Sequence, residues 1–130
     1  MIAYVESSAA AKLLFREAET EGLKRYLDTL VADDAVVASS LVLETELRRA
    51  AVREEVSQSL VTEVLDRFDL VEPDRTVYRE AGLLSGANLR TLDALHVAIA
   101  LRLGVDVMVS YDHRQISASQ AVGLHTISPG

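Results

Sequence analysis

Leu92-Asp93-Ala94-Leu95-His96-Val97-Ala98-Ile99-Ala100-Leu101, preceded by Thr91 and followed by Gly104, is the stretch whose reading decides the fold. Thr91 is a good N-cap, Asp93 falls in the first turn where a carboxylate suits the helix dipole, and Gly104 is a C-terminal stop. These signals predict a helix of about three turns. It is apolar on nearly every side, so it belongs beneath other elements rather than on the surface with one face wet. Asp93 and His96 stand three residues apart and share a face, and an acid at the head of a buried helix must be capped, paired or bound to a cation.

Outward from this helix, apolar runs and helical patterns alternate. Ile2 to Val5 reads as a strand, followed by Glu6 and the helix-starting pair Ser7-Ser8, with a helix over Ala9 to Glu17. Thr20 caps a second helix, in which Leu23, Tyr26, Leu27 and Leu30 form one apolar stripe. After the Asp33-Asp34 break, Ala35 to Ala38 reads as a buried strand, and Ser39-Ser40 cap a helix from Leu41 to about Glu54. Ser57 caps a helix carrying Leu60 through Phe68, and Asp69 to Glu72 is a brief strand stopped by Pro73. Asp74 caps a helix through Leu83 and Leu84 that ends near Gly86. Beyond the central helix, Val105 to Ser110 is another buried strand, a short helix ends near Gly123, and Leu124 to Ile127 is an edge strand. Such alternation predicts an α/β fold, a parallel sheet of about five strands with helices on both faces.

At 130 residues the chain is expected to form one domain over 1–130 with a single core. Its 49% hydrophobic and 25% charged residues are the balance of an ordinary globular protein. The absence of cysteine excludes a thiol nucleophile, a disulfide scaffold and cysteine-ligated zinc. No apolar run approaches the roughly 20 residues of a membrane span, and Glu6 interrupts any export signal, so a cytoplasmic location is expected. The net charge of −7 argues against nucleic-acid binding through bulk charge. It leaves room for a nuclease whose acids hold cations, because the bound ions reverse the local field.

In an open parallel sheet the working site lies beyond the carboxyl ends of the strands, where the strand order reverses. Glu6 and Asp112 follow predicted strands by one or two residues, Glu46 lies in the second turn of a helix leaving the same edge, and Asp93 enters from a helix N-terminus. Four carboxylates from distant parts of the chain are therefore expected to converge. Alone they would repel and raise one another's pKa values; with Mg²⁺ or Mn²⁺ they become a metal site.

These residues carry a resemblance. Tyr4-Val5-Glu6-Ser7-Ser8-Ala9, Glu46-Leu47-Arg48-Arg49-Ala50, Leu92-Asp93-Ala94-Leu95-His96-Val97-Ala98 and Ser110-Tyr111-Asp112-His113-Arg114 resemble the four signature segments of PIN-domain nucleases, in order and over essentially the whole chain. The similarity is greatest to the small VapC-type toxins of bacterial toxin–antitoxin pairs. The resemblance implies a PIN-like three-layer α/β/α sandwich, a Mg²⁺ site (Mn²⁺ being possible) formed by Glu6, Glu46, Asp93 and Asp112, with Glu46, Asp93 and Asp112 catalytic. It also implies cleavage of RNA by metal-activated water, a small cognate antitoxin of VapB type, and a homodimer. One position departs from the pattern: Glu6 stands where the family has Asp, which moves the carboxylate by roughly 1.5 Å if the backbone stays put. That departure motivates an alternative, a degenerate metal-binding PIN module that binds an antitoxin with little or no nuclease activity. A response-regulator-like receiver also gathers acids around Mg²⁺, but it needs a phospho-acceptor Asp at the end of a middle strand and a correctly placed Lys, and neither is present.

Simpler roles compete at each position. Glu46 can pair with Arg49 at i+3 and Glu44 with Arg48 at i+4, the salt bridge being preferred for Glu44 and metal for Glu46. Asp112 can be only an N-cap. His96 is expected to be a core histidine hydrogen-bonded near Asp93, because Mg²⁺ favours oxygen. Ser8 and Ser110 are capping or strand-end hydroxyls that can also orient an acid. Lys12 and Arg114 are surface charges close enough in sequence to the site segments to meet a phosphate.

Overall fold

The computed structural model describes residues 1–86 and 88–130. In chain order the elements are β1 (Ile2–Val5), α1 (Ser7–Leu14), α2 (Thr20–Ala32), β2 (Val36–Ser40), α3 (Leu41–Glu54), α4 (Gln58–Leu65), β3 (Asp69–Val71), α5 (Arg75–Leu83), α6 (Thr91–Leu103), β4 (Val107–Val109), α7 (His113–Ala121) and β5 (Thr126–Ile127). The five strands form one parallel sheet in the order β3-β2-β1-β4-β5. The α/β class, the parallel pairing and the strand number follow the expectation. Among the described residues no helix is long and apolar enough to cross a membrane.

The period-two alternation of strand side chains divides the interior into two layers. Ala3 and Val5 of β1 and Val107 and Val109 of β4 point to one face, where they pack with Leu23 and Leu27 of α2, Leu43 and Leu47 of α3 and Val61 and Val64 of α4. Tyr4 and Met108, between them in sequence, point to the other face and pack with Val77 of α5 and with α6. On α6, seven consecutive residues from Ala94 to Ala100 are buried, so the helix that is apolar all round lies against the sheet with α5 and α7 beside it.

Several boundaries differ from expectation, each for a local reason. Arg90, not Thr91, is the N-cap of α6: its backbone is extended, its carbonyl accepts the Ala94 N–H at 2.8 Å, and no side chain caps the end. Thr20 likewise lies inside α2, with Glu19 at the cap; its hydroxyl instead accepts from Glu17 N and donates to Lys12 O. α1 stops at Leu14, where the C-cap Phe15 turns extended, three residues short of Glu17. β2 runs on through Ser39 to Ser40, so only Ser40 caps α3, while the Ser39 hydroxyl donates to Val5 O at 2.6 Å across to β1. α4 ends at Leu65, before Phe68, and β4 and β5 are shorter than the runs 105–110 and 124–127.

The sheet order places the site. β2 and β3 lie on one side of β1 and β4 and β5 on the other, so the winding reverses between β1 and β4. Ligand sites of open parallel sheets form at the carboxyl edge of such a point. Glu6 leaves β1 there and its N–H donates to Val109 O of β4 at 3.2 Å. Because α6 leads back to the start of β4, its N-terminus, with Asp93, lies at the same edge.

Candidate active site

Glu6 is the N-cap of α1, a role the sequence assigned to Ser7-Ser8. Its extended backbone lets the carboxylate fold back so that Oε1 accepts from Ser8 N at 3.0 Å and Ala9 N at 3.3 Å, and from the Ser8 hydroxyl. The residue is 1% exposed. Burial pushes its carboxyl above the ordinary glutamate value, against the opposing pull of the Ser8 hydrogen bonds. The Ser8 hydroxyl also accepts from Tyr111 N at 2.9 Å and lies 3.4 Å from the Ser110 hydroxyl, which in turn accepts from Asp112 N at 3.2 Å. Ser8 and Ser110 thus connect the ends of β1 and β4, as hydroxyls that orient acids.

Asp112 caps α7, its Oδ1 accepting from Arg114 N at 2.9 Å and Gln115 N at 3.3 Å. The same Gln115, fully buried, donates through Nε2 to the Asp93 carbonyl at 3.3 Å and so ties the two acidic segments together. Nothing in the sequence marked this residue; its buried Oε1 has no protein partner among the described residues. Asp93, partly buried in the first turn of α6, makes no side-chain hydrogen bond among the described residues. Burial raises its carboxyl above the usual aspartate value, and the negative charges of Asp112 and Glu46 raise it further.

Glu46 projects from α3, the helix that leaves β2. It does not pair with Arg49; its Oε1 meets His96 Nε2 at 2.6 Å, whereas Glu44 does pair with Arg48 at 2.9 Å. His96 is a core histidine, as expected, but its partners are Glu46 and Tyr4 rather than Asp93: Nδ1 lies 2.6 Å from the Tyr4 hydroxyl. Lys12 is not available to a phosphate, being paired with Glu17 and Glu19 and stacked 4.7 Å above the Tyr111 ring. Arg114 stays exposed and unpaired among the described residues. A cleft of about 640 Å³ runs from Glu46 past Arg49 and Arg53 on α3 to Tyr78 on α5.

The four predicted acids therefore reach one edge, with unequal coupling. Asp93 feels the charges of Asp112 and Glu46, while Glu6 is joined to Asp112 through serines and spends one oxygen on capping. Among the described residues, no three acidic or histidine side chains stand close enough to hold a metal ion as they are.

The sequence of residues 3–120 matches the model of the PIN domain family. The chain belongs to the PIN-domain family. It is 38% identical over 128 residues to "Ribonuclease VapC46" of Mycobacterium tuberculosis, covering 97% of this chain and 96% of that one. It is 35% identical over 133 residues to "Ribonuclease VapC47" of the same organism, covering 98% and 96%. The PIN fold is matched by the crystal structure of VapBC2 from Rickettsia felis bound to a DNA fragment from its promoter, with a TM-score of 0.75, 18% identity and complete coverage of both chains. The PIN-like three-layer arrangement expected of the chain is thus its fold.

Proposed function

We propose that this PIN domain is a Mg²⁺-dependent endoribonuclease, with Mn²⁺ an alternative ion, acting as the toxin of a VapBC-type toxin–antitoxin pair. The observation that carries the reading is Asp93: a carboxylate that, among the described residues, has no hydrogen-bonding partner for its side chain, partly buried at the head of the most buried helix, and repelled by Asp112 and Glu46. The similarity to proteins named ribonuclease VapC over nearly the full chain points the same way. The donor set suits a hard cation. Mg²⁺ is commonly held by one or two carboxylates with waters completing its shell, so a closed cage of three side chains is not required.

Asp93 and Asp112 would hold the ion, with Glu46 beside them; Glu6, one oxygen already committed to the helix cap, would reach it through water. Bound there, the divalent ion would supply an activated water and charge stabilisation at the scissile phosphate. The chain's own residues supply position. Gln115 sets Asp93 relative to Asp112, the Ser8–Ser110 contact fixes β1 against β4, and the Asp112 cap fixes the start of α7. A small antitoxin of VapB type would cover this acidic edge, an arginine being the natural partner for its carboxylates, and the toxin would act as a homodimer.

Replacing Asp93 by Asn removes one charge and almost no volume. The Asp93→Asn protein should fold as the wild type does, fail to cleave RNA in Mg²⁺, and relieve the growth arrest that expression of the wild type imposes on a bacterial host. Cleavage by the purified variant at the wild-type rate would sink the assignment.

A further inference from the structure

The His96 ring is completely buried on α6, yet both of its nitrogens are engaged. Nε2 lies 2.6 Å from Oε1 of Glu46 and Nδ1 lies 2.6 Å from the Tyr4 hydroxyl, with the two rings edge-on at 5.6 Å between centroids. The direction of these bonds follows from the groups. A carboxylate only accepts, so Nε2 carries the donated hydrogen. In the neutral ring Nδ1 is then an acceptor, and the phenol that faces it is the donor; burial holds that proton firmly on Tyr4. Three elements, β1, α6 and α3, are thus joined by one hydrogen-bonded chain that starts in the core and ends at an acid of the candidate site.

We infer that Tyr4 and His96 are positioning residues for Glu46: they fix one oxygen of its carboxylate and leave Oε2 as the oxygen offered to a cation. The inference rests on the reading of Glu46 as part of the metal site. Glu46 sits on a helix surface with its side chain 16% exposed and Arg49 one turn away, so without His96 the carboxylate would be free to change rotamer and pair with that arginine. His96 is the stronger partner because its ring cannot move. It is clamped at the opposite nitrogen by a phenol that β1 holds in the sheet.

A histidine that merely satisfied the core would affect stability when removed, and nothing else once the protein had folded. Mn²⁺ binding to the RNA-free protein, followed by titration calorimetry, separates the two roles. The double substitution Tyr4→Phe with His96→Leu keeps the interior filled and leaves no buried polar group stranded, while taking the donor from Glu46. It should weaken Mn²⁺ binding by about 10–100-fold, the usual effect of losing a partner behind a metal ligand. His96→Gln, whose amide can place an N–H near the position of Nε2, should recover part of that loss. In the metal-free wild type, ¹⁵N chemical shifts should report the Nε2–H tautomer for His96, and Tyr4→Phe should disturb it. Equal Mn²⁺ affinity in the folded double variant and wild type overturns the inference while leaving the site intact, provided Asp93→Asn has lost binding. The inference falls in the same way if His96→Gln binds no better than the double variant, or if the wild-type ring carries its hydrogen on Nδ1. A wild type that binds no Mn²⁺, or an Asp93→Asn protein that binds it normally, would remove the site itself and the inference with it.

Discussion

Glu6 occupies a position where the family motif has Asp, and its extra methylene is used to curl the carboxylate back onto the start of α1. The pocket is built around that length: Oε1 receives two backbone N–H groups and a serine hydroxyl, and the residue is almost wholly enclosed. A shorter acid would have to choose between cap and ion, so Glu6→Asp should leave cleavage unchanged or lower it, and Glu6→Gln, which keeps the cap acceptor without the charge, should raise the Mg²⁺ requirement. Titrating Mg²⁺ against cleavage for the three proteins checks this; a Glu6→Asp enzyme with tighter Mg²⁺ dependence and faster cleavage would contradict it. Glu6→Ala, which loses the cap outright, should cost about 0.5–2 kcal/mol in denaturant unfolding. At this scale the sequence reached the acids but not what they touch. Glu6, Asp93 and Asp112 are visible because each follows a strand or opens a helix, and Glu46, in the second turn of α3, because of the signature segment it heads. The Glu46–His96 contact spans 50 positions and depends on the strand order, which local pattern does not encode. A polar ring on an otherwise apolar helix signalled only that a partner was needed. Gln115 gave no signal, since a single glutamine on a short helix has no pattern to break.

The elements themselves were legible wherever hydrophobic period and stop signals agreed. Gly104 is the clearest case: it closes α6 with a φ of 63°, in the left-handed region, and a Cβ there would meet no neighbouring atom. The cost of Gly104→Ala is therefore one of backbone conformation alone, about 1 kcal/mol of unfolding free energy with no change in Mg²⁺ dependence. The helix starts were harder to read, because Thr91 and Thr20 satisfy the composition of a cap while the backbone turns helical one residue earlier. Asp112 shows how a cap and a site acid share one side chain. Asn also caps well, so Asp112→Asn should preserve α7 and abolish cleavage, whereas Asp112→Ala should abolish cleavage and lose about a further 1 kcal/mol of stability. Urea unfolding of the two variants distinguishes them, and equal stability would mean that the Oδ1 hydrogen bonds contribute nothing to α7.

For the molecule as a whole, gathering acids at the junction of β1 and β4 sets stability against function. The overall charge of −7 already disfavours the compact state at low ionic strength, and the acidic edge adds a local cost that follows from Asp93. Its carboxyl is raised above the ordinary value by burial and by Asp112 and Glu46, so the folded protein binds that proton more tightly than the unfolded chain. The stabilising contribution is fully present below the unfolded pKa and is lost as pH rises through the folded one. At neutral pH without metal, Asp93 is therefore a net burden on the fold. Asp93→Asn should melt at a higher temperature than the wild type at pH 7 in a chelator, and the gap should close as the pH falls below the usual carboxylate range. Adding Mg²⁺ should reverse the order. An ion that binds only the folded wild type stabilises it by about 2.7 kcal/mol at a hundred times its dissociation constant, while the variant gains little. Thermal melts at pH 7 and pH 3, each with chelator and with Mg²⁺, test the whole pattern. If Asp93→Asn melted below the wild type in chelator at pH 7, repulsion and burial would not be the forces acting on Asp93, and its carboxylate would be serving the start of α6 as an ordinary first-turn acid.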